Sequence, residues 1–429
     1  MFRASLFLLG LIAVSFVAQA DDWEQSDWDE EASETLQWHG FIEMGAGGRL
    51  NNDPVLDENK TLTELRGRVE TEYFSNDNRY SFKADLYTDG VEGATEFNLR
   101  EALVDLQLSD SLDLRLGHQV LTWGTGDLLF LNDLFAKDWQ SFFSGRDDEY
   151  LKAPSTSIKL AYYGNKANLD LVWTPVFTND QFINGERYSY FSPLAGQQVA
   201  SPESTLVSDY PQENFSNGEF AARFYGNAQW GASNTEWALY AYRGFWKQPN
   251  TLNVQGHAYF SPLKAVGASL RANIGKGIGH GEIAWYKGED DQGSNPLLPN
   301  NQVRFLVGYE QELLPKFTVG LQYYLEHTQD YAALIANDGN SPYRSDQNRE
   351  LWTLRLSYRA LQDNLTLGWF SFYSPTDDDY YHRPSAKYRF SDELQLIVGA
   401  NLFGGQEAHT FFGQFEDASN LYARIRWGY

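Results

Sequence analysis

Alternating arginine and carboxylate side chains are the residues of this sequence best suited to chemistry. One segment carries such side chains at every second position: Glu64, Arg66, Arg68 and Glu70. Because neighbouring side chains of a β-strand point to opposite faces, residues two apart share a face. A face of this kind can bind the carboxylate or hydroxyl groups of a solute, or it can pair its own charges.

Further arginines fall on the polar face of other alternating segments. They are Arg115, Arg223, Arg271, Arg304, Arg355, Arg424 and Arg426. An arginine that faced lipid at mid-membrane depth would cost about 2–4 kcal/mol. We therefore predict that these residues, together with the row at 64–70, line a polar interior. The pattern leaves two readings open, a water-filled path for solutes and a set of charge ladders that merely fills the interior.

The elements that must position these side chains are strands. From residue 36 onward, apolar and polar residues alternate with period two in segment after segment, which is typical of strands with one apolar and one polar face. In the last segment the apolar face carries Leu421, Ala423, Ile425, Trp427 and Tyr429. The opposite face carries Tyr422, Arg424, Arg426 and Gly428. One face is suited to lipid and the other to water.

The connections between strands alternate strictly between short and long. Membrane-spanning barrels show this pattern, with short turns at one end and long loops at the other. Counting the connections predicts an all-β fold, a transmembrane antiparallel β-barrel of about 18 strands with 16 as the nearest alternative. A soluble β-sandwich or propeller is the competing fold, but it does not predict the alternation of connections.

Composition narrows the function classes. The 429 residues include no cysteine, 33 Lys+Arg against 58 Asp+Glu, and 16% aromatic residues. The absence of cysteine excludes a disulfide scaffold, a thiolate metal site and a cysteine nucleophile. A formal charge of −25 argues against a nucleic-acid partner, which requires basic patches. Many aromatic residues with low average hydropathy are typical of a membrane barrel with interfacial girdles.

The amino-terminal residues are typical of an export signal. Residues 1–20 combine an arginine, an apolar stretch and an Ala-Gln-Ala end, which predicts a signal peptide cleaved after Ala20. Residues 21–35 are strongly acidic and predict a disordered periplasmic tail. The barrel would then occupy residues 36–429 as one unit, in the outer membrane of a Gram-negative cell.

The connection at 121–154 is the strongest local feature. It is long and carries many apolar residues, so we expect it to fold inward against the barrel wall as a constriction loop. Its candidate functional residues are Trp123, Gly124, Gly126, Asp127, Asp133, Asp138, Arg146 and Asp147. The two glycines would permit a tight turn into the barrel. Asp127 and Asp133 would cap the loop or anchor it to the arginine rows.

A family resemblance supports this expectation. The run Gly117-His118-Gln119, then Trp123-Gly124-x-Gly126-Asp127, then Asn132-Asp133 resembles a pattern of monomeric porin-like outer-membrane proteins, which include the alginate-export-type barrels. The resemblance implies a monomeric barrel with a loop folded into the lumen. The mixed charges of the predicted interior argue against a polyanionic cargo, which would need a strongly basic lumen.

A second long connection, 176–217, is rich in Tyr, Pro, Ser and Asn. It is expected to lie outside the barrel as a lid. Its aromatic residues Tyr188, Tyr190 and Phe191 would stack on a sugar or, more simply, on one another. The seven histidines form no recognisable metal or hydrolase motif, so we predict no metal and no cofactor.

These features predict a channel for passive passage of small polar or charged solutes. The alternative is a closed barrel acting in adhesion, in the envelope structure or in partner binding, and the third hypothesis is an outer-membrane enzyme. Expected partners are outer-membrane lipid and lipopolysaccharide, small solutes, and the barrel-assembly machinery through the strand that ends at Tyr429.

Overall fold

A computed structural model describes residues 36–202, 206–230, 233–252, 257–339 and 341–429. The predicted signal peptide at 1–20 and acidic tail at 21–35 lie outside the described residues. The whole of the described part from Leu36 to Tyr429 belongs to one compact unit.

In this part of the chain, 18 antiparallel strands form one closed sheet. The strands are β1 Gln37–Arg49, β2 Lys60–Ser75, β3 Asn78–Asp89, β4 Ala94–Ser109, β5 Leu112–Val120, β6 Pro154–Tyr163, β7 Asn168–Thr174, β8 Glu219–Trp230, β9 Ser233–Phe245, β10 Pro262–Ile274, β11 Gly277–Lys287, β12 Gln302–Leu314, β13 Phe317–Thr328, β14 Asn348–Ala360, β15 Leu365–Ser374, β16 Asp379–Arg389, β17 Leu394–Gly405 and β18 Asn420–Gly428. Each strand pairs with the next, and β1 closes the barrel against β18 with Gly45 opposite Arg424. The predicted strand count is confirmed.

The longest connections, such as 121–153 and 175–218, all lie at one end of the barrel, and the connections at the other end are turns of two to four residues. The connections at 90–93 and 375–378 lie at the long-loop end but also have only four residues, which corrects the prediction of a strict alternation between short and long connections. The loops contain two short α-helices, α1 Trp139–Ser144 and α2 Tyr331–Asn337. They also contain 3-10 turns at Asp148–Leu151, Phe215–Asn217 and Gly413–Ala418. Short strands pair Tyr190–Ser192 with Gln197–Val199, and Ala258–Tyr259 with Ser208–Asp209 and Thr251–Leu252. Among the described residues, no helix is long and apolar enough to span a membrane.

The two faces of the sheet differ as the alternation predicts. On β2, Leu65 is 49% exposed on the outward face, whereas its neighbour Arg66 is 1% exposed on the inward face. The largest cluster of buried apolar side chains lies inside the barrel rather than between sheets, because inward residues of many strands meet the loop at 121–153 there. The interior is therefore partly filled by a core of its own.

Candidate functional site

The loop at 121–153, which we call the inner loop, folds into the barrel and reaches strands on opposite sides. Its first part contacts β11, where Glu282 accepts hydrogen bonds from the backbone N–H of Gly126 at 2.8 Å and from the Asn132 side chain at 2.7 Å. Its last part contacts β4, where Arg100 donates to the carbonyl of Glu149 at 2.9 Å. The predicted inward-folded loop is therefore present.

A tight turn brings the chain into the barrel. Gly124 has φ +84°, a left-handed conformation that residues with a side chain rarely adopt. A Cβ on Gly126 would lie 2.3 Å from the carbonyl oxygen of Leu129. The two glycines thus allow the close approach that the sequence predicts, and Trp123, just before them, packs edge-on against Phe135.

One ion pair between the inner loop and the barrel wall is partly exposed to water on both of its side chains. Arg355 on β14 faces Asp127, with Nη2 2.6 Å from the carboxylate, and each side chain is 37% exposed. Because Arg355 points inward and Asp127 belongs to a loop within the barrel, the surface that exposes them is the lumen. Asp127 therefore anchors the loop, as predicted, and also borders the open part of the interior.

The predicted anchoring role of Asp133 is not seen. Its carboxylate accepts from Thr122 Oγ1 at 2.8 Å and from Lys137 Nζ at 3.0 Å, both within the same loop. Asp133 thus shapes the loop locally instead of binding an arginine of the wall, because Lys137, four residues further on, neutralises its carboxylate. Asp138 is likewise local, since it caps α1 by accepting from the Ser141 N–H at 2.8 Å.

A buried charge network fixes the inner loop to β2 and β3. Asp85 is fully buried and accepts from Arg68 Nε at 2.6 Å, from Arg66 Nη1 at 2.8 Å and from the Tyr150 hydroxyl at 2.8 Å. Arg66 also donates to Glu64 at 2.6 Å. Since nearly every donor and acceptor here has a charged partner, the burial of these ions is compensated.

Arg146 extends this network within the inner loop. Its guanidinium donates to Glu64 at 2.8 Å and to Asp89 at 2.9 Å. Asp89 also pairs with Arg187, which belongs to the next long loop and donates to the Thr61 carbonyl at 2.9 Å. Two loops are thereby tied to the same end of β2 and β3.

The inner loop also contacts the closing strand. Asp147 lies 3.4 Å from Arg426 and 3.8 Å from Arg424, and both arginines donate to Glu43 on β1. Burial alone would raise the pKa of the Asp147 carboxyl, but Arg424 and Arg426 outweigh it and hold that pKa below its usual range. The contact therefore stabilises the fold above the unfolded-state pKa of about 3.9, and this contribution is lost as the pH falls through the lower pKa of the folded state.

An aromatic core holds the middle of the inner loop. Phe143 is 2% exposed and its ring meets those of Tyr381, Phe403 and Phe415 at centroid distances of 5.5, 5.0 and 5.1 Å. Its carbonyl accepts from Asn401 at 2.9 Å. The apolar residues that predicted an inward fold are thus the ones that pack against β16, β17 and the last long loop.

The loop at 175–218 does not lie wholly outside the barrel, which corrects the expectation of a lid. Its backbone bonds to the inner loop, with Trp139 N–H donating to the Gln181 carbonyl at 3.0 Å. Tyr188 is 1% exposed and packs edge-on against Phe143. It cannot stack on a sugar in this arrangement, because the charge network tied to its neighbour Arg187 holds it inside. Tyr190 and Phe191 remain partly exposed.

All predicted pore-lining residues lie on inward-facing positions, but they differ in their contact with water. Glu64, Arg66, Arg68 and Arg424 are less than 9% exposed. The inner loop covers them, so they serve as anchoring charges and do not line open water, which corrects the prediction for these four. The partly or fully exposed members are Glu70, Arg115, Arg223, Arg271, Arg304, Arg355 and Arg426.

A cavity of about 760 Å³ opens on the long-loop side of the inner loop. Charges of both signs line it, among them Lys137, Arg304, Glu326 and Arg349. The Arg304 guanidinium lies 4.2 Å from the Tyr286 ring centroid and 3.1 Å from Glu326. A second recess, of about 340 Å³, lies near the short-turn end and is lined by acidic residues, Arg115 and Lys159. Polar space therefore exists on both sides of the loop.

The sequence does not identify several of these residues. Tyr150 and Glu282 each bond to more than one residue of the site. A single tyrosine in a loop and a single glutamate on a strand nevertheless form no pattern that would distinguish them. Arg383 on β16 donates to Asp148 at 2.8 Å, but its segment Asp379–Arg389 lacks a clean apolar row. The inward parity of Tyr381 and Arg383 was the signal that could have identified it.

The described residues give no positive support to a metal site or a hydrolase. Within the described ranges, no three His, Asp or Glu side chains are grouped to hold a metal ion. Ser371 and His382 are 2.9 Å apart, but they lie on the outward face beside Trp369. This pair is better explained as a cross-strand contact of the lipid-facing wall.

Comparisons with known proteins bear on the fold. No protein-family model matches the sequence, and no curated protein does. Among solved structures, OccK9 (OpdG) of Pseudomonas aeruginosa aligns over 92% of this chain and 98% of its own, with a TM-score of 0.53 and 11% identity. OccAB2 of Acinetobacter baumannii aligns over 92% and 98%, with a TM-score of 0.52 and 8% identity. The chain therefore has the fold of a porin-like outer-membrane β-barrel.

Proposed function

We propose that this protein is a channel of the Gram-negative outer membrane for the passive passage of small polar or charged solutes. The observation that carries the proposal is the Asp127–Arg355 pair, whose side chains are each 37% exposed although both lie inside the barrel. Because an 18-stranded barrel encloses more space than its own side chains fill, water beside this pair is expected to connect the recesses on either side.

The charges along this route favour small ions and polar molecules over a long polyanion. Arginine and carboxylate groups alternate around the cavity, as Arg304–Glu326 and Arg349–Asp377 show. A solute with a carboxylate or hydroxyl group would exchange hydrogen bonds with such groups as it passes. The direct test is a swelling assay with liposomes that contain the folded protein, in which arabinose and glycine are expected to enter.

Substitutions at the lumen-exposed pair should change ion selectivity. Arg355→Gln leaves Asp127 with a local negative charge, so the channel is expected to become more cation-selective; Asp127→Asn should shift selectivity towards anions. The reversal potential in a tenfold KCl gradient measures both changes. Lys316→Gln, in the exposed short turn between β12 and β13, removes the same charge away from the barrel wall and is the control. Reversal potentials that do not move in opposite directions would place the ion path elsewhere.

A closed barrel that binds a partner is the second candidate. The buried network around Asp85 and the aromatic core around Phe143 favour it, because both fill the interior with packed side chains. Liposomes that swell no faster than protein-free ones would support this candidate. The proposed contacts with outer-membrane lipid, and with the assembly machinery through the strand ending at Tyr429, suit either function.

A further inference from the structure

Three basic side chains stand next to one another on the outward face of the barrel. Arg243 on β9 is directly opposite Lys264 on β10, which is directly opposite Lys287 on β11. Their inward neighbours Tyr242, Ala265 and Tyr286 are buried, so the basic side chains point away from the lumen. The three strands lie about 4.8 Å apart, so the row spans roughly 10 Å.

This row is unusual within a chain of formal charge −25. The arginines of the barrel wall described above face inward, and most of them pair with carboxylates there. By contrast, Arg243 and Lys264 form no ion pair with any described residue, while Lys287 contacts Asp291 at 3.1 Å. At least two cationic groups are therefore available to an anion outside the barrel.

An apolar groove of about 650 Å³ begins directly below the basic row. The next outward residues across the strands form its floor and walls: Leu160, Leu171, Ala222, Ala241, Val266 and Trp285. Ala222 and Ala241 are opposite each other, and their small side chains leave the depression between larger neighbours. The groove crosses six strands, which makes it roughly 24 Å wide.

We propose that this surface binds the phosphorylated, multiply acylated lipid A part of lipopolysaccharide. The basic row lies near the long-loop ends of its strands, where phosphate groups of an outer-leaflet lipid would stand, and the groove below offers width for several acyl chains. Phosphate binds ammonium and guanidinium groups through charge-assisted hydrogen bonds. The proposal rests on the proposed outer-membrane location but not on channel activity.

The test measures binding of bisphosphorylated lipid A to the detergent-solubilised full barrel by native mass spectrometry. The triple variant Arg243→Gln, Lys264→Gln, Lys287→Gln should bind roughly tenfold or more weakly, since each basic group near an anionic lipid surface contributes. Ala241→Phe, which keeps all three charges but fills the groove, should also weaken binding. Circular dichroism establishes that each variant is folded.

The matched control is Lys166→Gln, Lys276→Gln, Lys316→Gln, which removes the same charge from the short turns and should bind as the wild type does. Dephosphorylated lipid A should bind the wild type as weakly as lipid A binds the triple variant. The proposal would be overturned if the wild type bound phosphorylated and dephosphorylated lipid A equally well. It would also be overturned if the short-turn control weakened binding as much as the triple variant of the basic row does. Conductance is recorded separately, because the outward row touches no part of the lumen: a silent barrel that still binds lipid A would reject only the channel.

Discussion

Replacing Asp85 with Asn should lower the free energy of unfolding by about 3–5 kcal/mol. The carboxylate is fully buried and compensates the charges of Arg66 and Arg68, while it also accepts the hydroxyl hydrogen of Tyr150. An amide would leave two buried guanidinium groups short of negative charge. Removing one partner of a buried ionic network is costly because the other charges stay desolvated.

Urea unfolding of the detergent-solubilised barrel, followed by tryptophan fluorescence, measures this change. Asp392→Asn in the short turn between β16 and β17 is the matched control, since its side chain is exposed and its loss should change the unfolding free energy by less than about 0.5 kcal/mol. If Asp85→Asn lowered the free energy of unfolding by no more than the control does, the view that this network holds the inner loop would be contradicted.

Replacing Phe143 with Ala should lower the free energy of unfolding by a similar amount, about 3–5 kcal/mol. The ring is surrounded by Trp139, Tyr381, Phe403 and Phe415, so its removal leaves a cavity inside the barrel. Because these contacts hold the inner loop across the lumen, we also expect the variant to show larger fluctuations of single-channel current.

Phe143→Leu is the control, because it keeps most of the apolar volume and should cost clearly less than the alanine variant. Urea unfolding gives the stability difference, and planar-bilayer recording gives the current. If both variants unfolded at the wild-type urea concentration, the aromatic core would not be what fixes the loop.

The sequence predicts the barrel well, because strand faces follow from local alternation alone. The inward parity of Arg355 and Arg426 depends only on period two, and the strand count depends only on turns and loops. The long apolar segment at 121–154 also predicted its own inward fold, since so many apolar side chains would not remain in water.

What the sequence could not predict is which inward charges meet water. Arg66 and Arg355 carry the same pattern, yet Tyr150 covers the first and the second faces the lumen. That difference depends on contacts such as Arg146–Glu64, which join residues 82 positions apart. The burial of Tyr188 could not be predicted for the same reason, because a loop of polar composition gives no local sign that one of its tyrosines enters the barrel.

Single-channel recording in planar bilayers tests the central proposal most directly. We compare the wild type with the double variant Asp127→Ala, Arg355→Ala, which removes both lumen-exposed side chains of the pair. We expect discrete current steps from the wild type and larger steps from the double variant, because the path beside the pair becomes wider. No current steps from folded wild-type protein, or steps of equal size from both proteins, would contradict a solute path at this pair.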